Sequence, residues 1–241
     1  AAGGYTTTVE GNARLRGERG SSTVNIAGHK VLMLQFELQY KTSVGVLDAR
    51  TRILEAIAEQ GDEFELDGMQ LRVGRDGRSR MILVDANSLC YQAKGRADAE
   101  IVEDVVREEM RRATEALEQN VAGLSVWRAA VRLFVQVRRP PPGQLHAAML
   151  DAAGRMPLFS AALGAHSGER LRAAELKYDA GPDERRLRWD VADDGLVATV
   201  ECATREPVAP HAALLDTTVA FAEAAVDAVG AGAHGSSEAT Q

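Results

Sequence analysis

Arginines are the side chains whose type and spacing come closest to a ligand-binding pattern in this sequence. Arg128, Arg132 and Arg138 fall on one face of an alternating run, together with Phe134 and Gln136. Further along, Arg186 and Arg188 alternate with Leu187, Trp189 and Val191. If these two runs are neighbouring strands, several guanidiniums stud one open sheet face. Arginine grips phosphates through two parallel hydrogen bonds and stacks on bases, and an exposed aromatic on a sheet is a platform for single-stranded nucleic acid. The competing reading is that these arginines pair with the abundant Asp and Glu. The ligand-binding candidates are therefore Arg128, Arg132, Phe134, Arg138, Arg186 and Arg188.

No catalytic constellation accompanies them. The five histidines are His29, His146, His166, His211 and His234. None stands three or four residues from another or close to a cysteine, so there is no local zinc pattern. His166, in the irregular stretch 156–168, is the best single candidate for a pocket histidine, and a solvent-exposed loop is the simpler reading of it. His211 follows Pro210 at a helix start and reads as a surface residue. The adjacent carboxylates Asp183-Glu184 and Asp193-Asp194 sit in turn contexts, where solvation is favoured over magnesium binding. A Gly-x-Ser-x-Gly elbow, a phosphate loop and a dinucleotide fingerprint are all missing. The expectation is no catalytic residue, no metal ligand and no cofactor.

Composition sets wider bounds. The 241 residues allow one large domain or two of moderate size. Aromatics make up only 5%, so the core must be built mainly from Val, Leu, Ile, Ala and Met. The net charge of −7 argues against generic binding to nucleic acid or anionic membranes, although a local basic patch would survive that average. The two cysteines, Cys90 and Cys202, lie in separate apolar runs and read as buried free thiols. No apolar run approaches the ~20 residues of a membrane helix, and the N-terminus carries no apolar signal core. The expected location is a reducing cytoplasm.

The elements that must position these groups follow from periodicity. Residues 1–28 read as a polar arm, and 231–241 as a flexible tail. A first unit, 29–122, opens with a strand in which Leu32, Leu34, Phe36, Leu38 and Tyr40 share a face. A helix from Val44 to about Gln60 follows, burying Leu47, Ile53, Leu54 and Ile57 and stopping at Gly61. Short strands punctuated by Asp67-Gly68 and Asp76-Gly77 lead to a helix capped by Asp98 and running to about Gln119. Its charged residues Arg107 to Glu109, Arg111, Arg112, Glu115 and Glu118 read as a solvated face. A second unit, 123–230, opens with the strand from Val126 to Arg139. A short helix, strands near 171–178, 185–191 and 196–203, and a helix opened by Pro210 complete it.

The element order therefore repeats although the letters do not. The fold class is α+β, with two related β-α-β-β-β(-β)-α units whose antiparallel sheets carry helices on one face. The organisation resembles the tandem saddle of TATA-binding-protein-like folds and tandem ferredoxin-like units. It is also similar to a sporadically distributed family of uncharacterised bacterial proteins, in which strand, helix, meander and helix precede an Arg-bearing strand, here Val126–Arg139. That resemblance implies a fold and no reaction. The expected function is a non-catalytic protein-binding or assembly module acting through an exposed sheet face or edge, with self-association among its options. A nucleic-acid-binding protein using the arginine face is the alternative, and an enzyme whose site is not visible in sequence is the third reading.

Overall fold

A computed structural model describes residues 23–41, 44–67, 70–96, 100–138, 173–192, 195–205 and 211–235. The first unit contains β1 (Lys30–Tyr40), α1 (Val44–Ile57), β2 (Glu63–Asp67), β3 (Gln70–Arg75), β4 (Arg80–Val84), β5 (Ser88–Lys94) and α2 (Glu103–Asn120). The described elements of the second are β6 (Val126–Arg138), β7 (Ala173–Ala180), β8 (Asp183–Ala192), β9 (Gly195–Thr204) and α3 (His211–Gly235). The nine described strands form one sheet in the order β2-β3-β4-β5-β1-β6-β9-β8-β7. Each neighbouring pair is antiparallel. The two units thus join edge to edge, and the order reads alike outward from the β1–β6 seam: β5, β4 and β3 on one side, β9, β8 and β7 on the other.

Alternation makes this a two-layer body. In β1, Leu34, Phe36, Leu38 and Tyr40 are buried, as are Val131, Leu133, Val135 and Val137 in β6 and Leu196, Ala198, Val200 and Cys202 in β9. These side chains meet Ile53 and Ile57 of α1, Met110, Ala113 and Leu117 of α2, and Leu215, Ala222 and Val226 of α3 in one continuous core. Each large apolar side chain so buried contributes about 1.5–3 kcal/mol. The helices touch one another, α1 on α2 and α2 on α3, and so form a single layer. The opposite face carries the polar half of each alternation.

Several local expectations need correction. The apolar alternation of β1 slips at Leu32: the register against β6 shifts between Val31 and Met33. Val31 takes the buried place and Leu32 is half-buried. Gly95 closes over this bulge, its N–H donating to the Leu32 carbonyl at 2.9 Å. A Cβ at position 95 would collide with the Val31 carbonyl oxygen. In α1 the buried set is Val46, Ala49, Ile53 and Ile57, so Leu47 and Leu54 flank the stripe. That helix ends at Ile57, three residues early, and the buried Arg75 guanidinium caps this end by donating to the Ile57 carbonyl. Helix α2 starts at Glu103 with Val102 as its N-cap residue, while Asp98, the expected cap, lies outside the described residues. The Asp76-Gly77 turn spans four residues, 76–79, with Asp76, Gly77 and Arg78 all at positive φ.

Candidate functional site

Sheet register decides what the arginines do. Across the sheet face that no described helix covers (the helix-free face below), Arg186 of β8 stands opposite Glu201 of β9, Glu201 opposite Arg132 of β6, and Arg132 opposite Gln35 of β1. The next row runs Arg188, Thr199, Phe134 and Met33. Adjacent strands lie about 4.8 Å apart, so each row is a chain of side-chain neighbours. The two arginine runs are not neighbouring strands: Arg128 and Arg132 share a face with Arg186 and Arg188, but β9 lies between them and brings a carboxylate.

Glu201 is the hub. Its side chain is only 7% exposed. One oxygen accepts from Arg128 Nη2 at 2.6 Å and the other from Arg132 Nε at 2.6 Å. Arg132 also donates to Gln35 Oε1 at 3.0 Å, and Arg128 to Glu184 Oε2 at 3.3 Å. Glu184 in turn pairs with Arg205. Burial pushes the Glu201 carboxyl up, yet Arg132 and Arg128 together hold it below the usual carboxylate range. Glu184 shows the same contest: burial raises it, and Arg205 and Arg128 bring it below normal. Farther out, Arg186 pairs with Glu175 at 2.7 Å, and Arg188 reaches both oxygens of Asp190 at 2.8 and 3.0 Å.

Each of the four described candidate arginines thus has a carboxylate partner. Phe134 is half-buried within this network, packed into the row between Thr199 and Met33. Arg138 ends β6 with its backbone opposite Gly195; its side chain is outside the described set. His146 and His166 also lie outside the described residues, as does most of the stretch they occupy. His29 is partly buried at the entry to β1. Among the described residues no three His, Cys, Asp or Glu side chains gather as a metal site. Cys90 and Cys202 are free thiols. Cys202 is buried, whereas Cys90 is half-buried on the helix-free face.

A second ionic cluster was not foreseen. Glu109, assigned by sequence to the wet side of α2, is 4% exposed. It accepts from Arg75 at 2.9 Å and from Arg80, while Arg75 also meets Asp62 at 3.1 Å. The signal was present: position 109 lies three residues after Val106 and four before Ala113, at the border of the apolar stripe. Burial pushes the neighbouring Tyr91 phenol up and the Glu109 charge adds to the shift. Beside this cluster a cleft of about 360 Å³ opens between the β4–β5 end and the start of α2. Its walls are Tyr91, Ala93, Ile101, Val102, Val105 and Val106, with Arg80, Asp76 and Arg96 at the rim. Arg80 and Asp76 are paired to each other, and Arg96 donates to the carbonyls of Asp76 and Gly77. Asp76, Arg80 and Arg96 thus help fix the 76–79 turn, while Lys94 and Glu100 also line the cleft.

No family model matches this sequence, and no curated protein matches it. Among solved structures, the chain is similar to the regulatory subunit of aspartate kinase from Thermus thermophilus in its ligand-free form, at 14% identity and a TM-score of 0.27. The match covers 85% of this chain and 94% of that one. The corresponding subunit from Thermus flavus matches at 13% identity and a TM-score of 0.25, with the same coverage. At these values neither carries a ligand or an activity over to this chain, and membership of the bacterial family resembled in sequence is not shown. Among the described residues no helix is long and apolar enough to cross a membrane.

Proposed function

We propose that this protein is a non-catalytic binding or assembly module that recognises a protein partner through the helix-free face or an edge of its sheet. The observation that supports this is a sheet of nine described strands with the described helices gathered in one layer, so that no described helix covers the other, charge-balanced face. Its arginines are tied to Glu201, Glu184, Glu175 and Asp190, so the face offers polar complementarity without a net field. A partner would be held by shape and hydrogen bonds, with a weak dependence on salt. The carboxylates also take away what phosphate binding needs, which is uncompensated positive charge.

The test is affinity capture from the native host with the full chain, in parallel with Phe134→Asp on the open face and Leu66→Asp on the β2 edge. A partner retained by wild type and lost in one variant, each variant melting like wild type, is the expected result. Tight, steeply salt-dependent binding of a labelled oligonucleotide, lost in Arg132→Glu, would favour the nucleic-acid alternative instead.

A further inference from the structure

The two ends of the sheet are unequal in a way that selects an occupant. Among the described residues nothing pairs with the outer side of β2. An unpaired strand edge is a template for another strand. On the helix side of β2, Phe64 and Leu66 are 50% and 63% exposed, adjacent to buried Val73 and Leu71 of β3. On the opposite face stand Glu63 and Glu65, also exposed, each in a solvent-facing ion pair with Arg78 and Arg72. The strand therefore presents an apolar row on one side and a carboxylate row on the other, with open main-chain groups between them.

That pattern argues against a second copy of the chain. An antiparallel β2–β2 pairing that matches the apolar rows must align odd positions with odd positions. Every such register puts Glu63 or Glu65 opposite another of the acids at 63, 65 and 67, and directly opposed like charges destabilise a pair. Pairing β2 with β7, the other edge, is also penalised: on the matching side of β7 Lys177 lies between Glu175 and Asp179, so an antiparallel register that sets Glu63 or Glu65 against Lys177 sets the other against Glu175 or Asp179.

We infer that β2 is a docking edge for an extended partner segment in which apolar residues alternate with basic ones. The incoming strand adds main-chain hydrogen bonds to the β2 edge, covers Phe64 and Leu66 with its apolar row, and sets its cations over Glu63 and Glu65. Ion pairs at this exposure are worth little, so exchanging Arg72 and Arg78 for a partner's cations is nearly neutral. The apolar row and the main-chain bonds supply the affinity, and the carboxylates supply the choice of partner. This inference rests on the binding-module reading and narrows it to one edge and one chemistry.

The experiment measures fluorescence anisotropy of labelled synthetic peptides against the full chain at moderate salt. The peptides are an alternating Arg/Leu decamer, the same composition arranged in blocks, an alternating Glu/Leu decamer, and the Arg/Leu decamer N-methylated at alternate residues. The expected result is binding of the alternating basic peptide at least tenfold tighter than of the other three. Leu66→Asp should weaken it at least tenfold, and Phe134→Asp should leave it unchanged, with all variants melting like wild type. Equal binding of the block peptide, indifference to N-methylation, or loss only in Phe134→Asp would overturn the inference; the last result would still leave the binding-module reading standing. A dimer in sedimentation that dissociates in Leu66→Asp would overturn the choice of a foreign basic strand in favour of a second copy. Absence of any partner at either surface, in peptide and capture experiments alike, would remove both.

Discussion

Arg132 and Glu201 face each other across β6 and β9, 69 residues apart in sequence, and the guanidinium meets the carboxylate through Nε at 2.6 Å. Arg128 takes the other oxygen of the same carboxylate. Removing Glu201 therefore takes the carboxylate from Arg132, which keeps only Gln35 among the described residues, and leaves Arg128 with Glu184 alone. Glu201→Ala should destabilise the fold by about 2–3 kcal/mol, below the range for fully buried pairs because Arg132 remains partly in water. Urea unfolding checks this, and the triple change Arg128→Met, Arg132→Met, Glu201→Leu should recover most of the loss.

The same carboxylate gives the acid limb of stability a definite sign. Its folded pKa lies below the unfolded value, which for Glu is about 4.3. The stabilisation is therefore complete above that value and is lost as pH falls through the folded pKa. Glu184 and Glu175 are shifted in the same direction by their arginines. Between about pH 5 and pH 3, wild type should lose stability more steeply than Glu201→Gln, measured by urea midpoints along a pH series. Parallel slopes would mean that Glu201 has an ordinary pKa.

Arg75 joins α1, β3 and α2 from a side chain only 4% exposed. Arg75→Met leaves Glu109, Asp62 and the Ile57 carbonyl short of a donor. Arg80 still meets Glu109, so the expected cost is about 3 kcal/mol, the lower end for a broken buried pair. Thermal melting of Arg75→Met against Arg75→Met/Glu109→Leu separates a charge left unpaired from simple loss of packing.

Gly95→Ala places a methyl against the Val31 carbonyl oxygen, and backbone on both sides leaves no flexible atom to yield. The expected cost is about 2 kcal/mol or more, seen as a lowered urea midpoint. Gly123, where a methyl would meet nothing within 4 Å but φ is +69°, serves as the comparison in which backbone conformation alone resists the change.

Burial, then the Glu37 charge, pushes the Cys90 thiol from 9.0 to about 11. Cys202 is raised by burial as well. The thiolate fraction at mildly alkaline pH is therefore far below that of an ordinary exposed cysteine. Thiol-reactive dyes should label the native protein slowly and both cysteines rapidly after denaturation. Fast labelling of native Cys90 would contradict the buried environment.

What the sequence disclosed followed the range of the physics. The faces of β1 and β6 were legible because alternation is local, and Arg128, Arg132 and Phe134 do share the helix-free side. The contacts of Arg132 were not, because they depend on which distant strand lies beside β6, and Glu201 and Gln35 are 69 and 97 residues away. Glu109 was legible in principle from its place beside Val106 and Ala113, but a glutamate among Arg107, Glu108 and Arg111 reads as one more surface charge. The slip at Leu32 comes from a bulge that only its neighbours, β6 and Gly95, reveal. The edge chemistry of β2 follows from its short alternating run, once the sheet order makes it the outermost strand.

The seam between β1 and β6 makes either half of the molecule an incomplete object. Lys30 is matched with Gln136, and the pairing runs on to Tyr40 and Val126, so neither half closes its central strand without the other. During synthesis β1 emerges about 85 residues ahead of β6, so one edge of this long, apolar-backed strand waits for its complement while the rest of the first half is made. Until then, the β6 strand of another copy of the protein would fit the same edge in the same register. Correct assembly is thus a race between synthesis of Val126–Arg138 and exchange with a neighbour. Severing the chain between α2 and β6 should convert that race into a stoichiometric reassembly of two fragments.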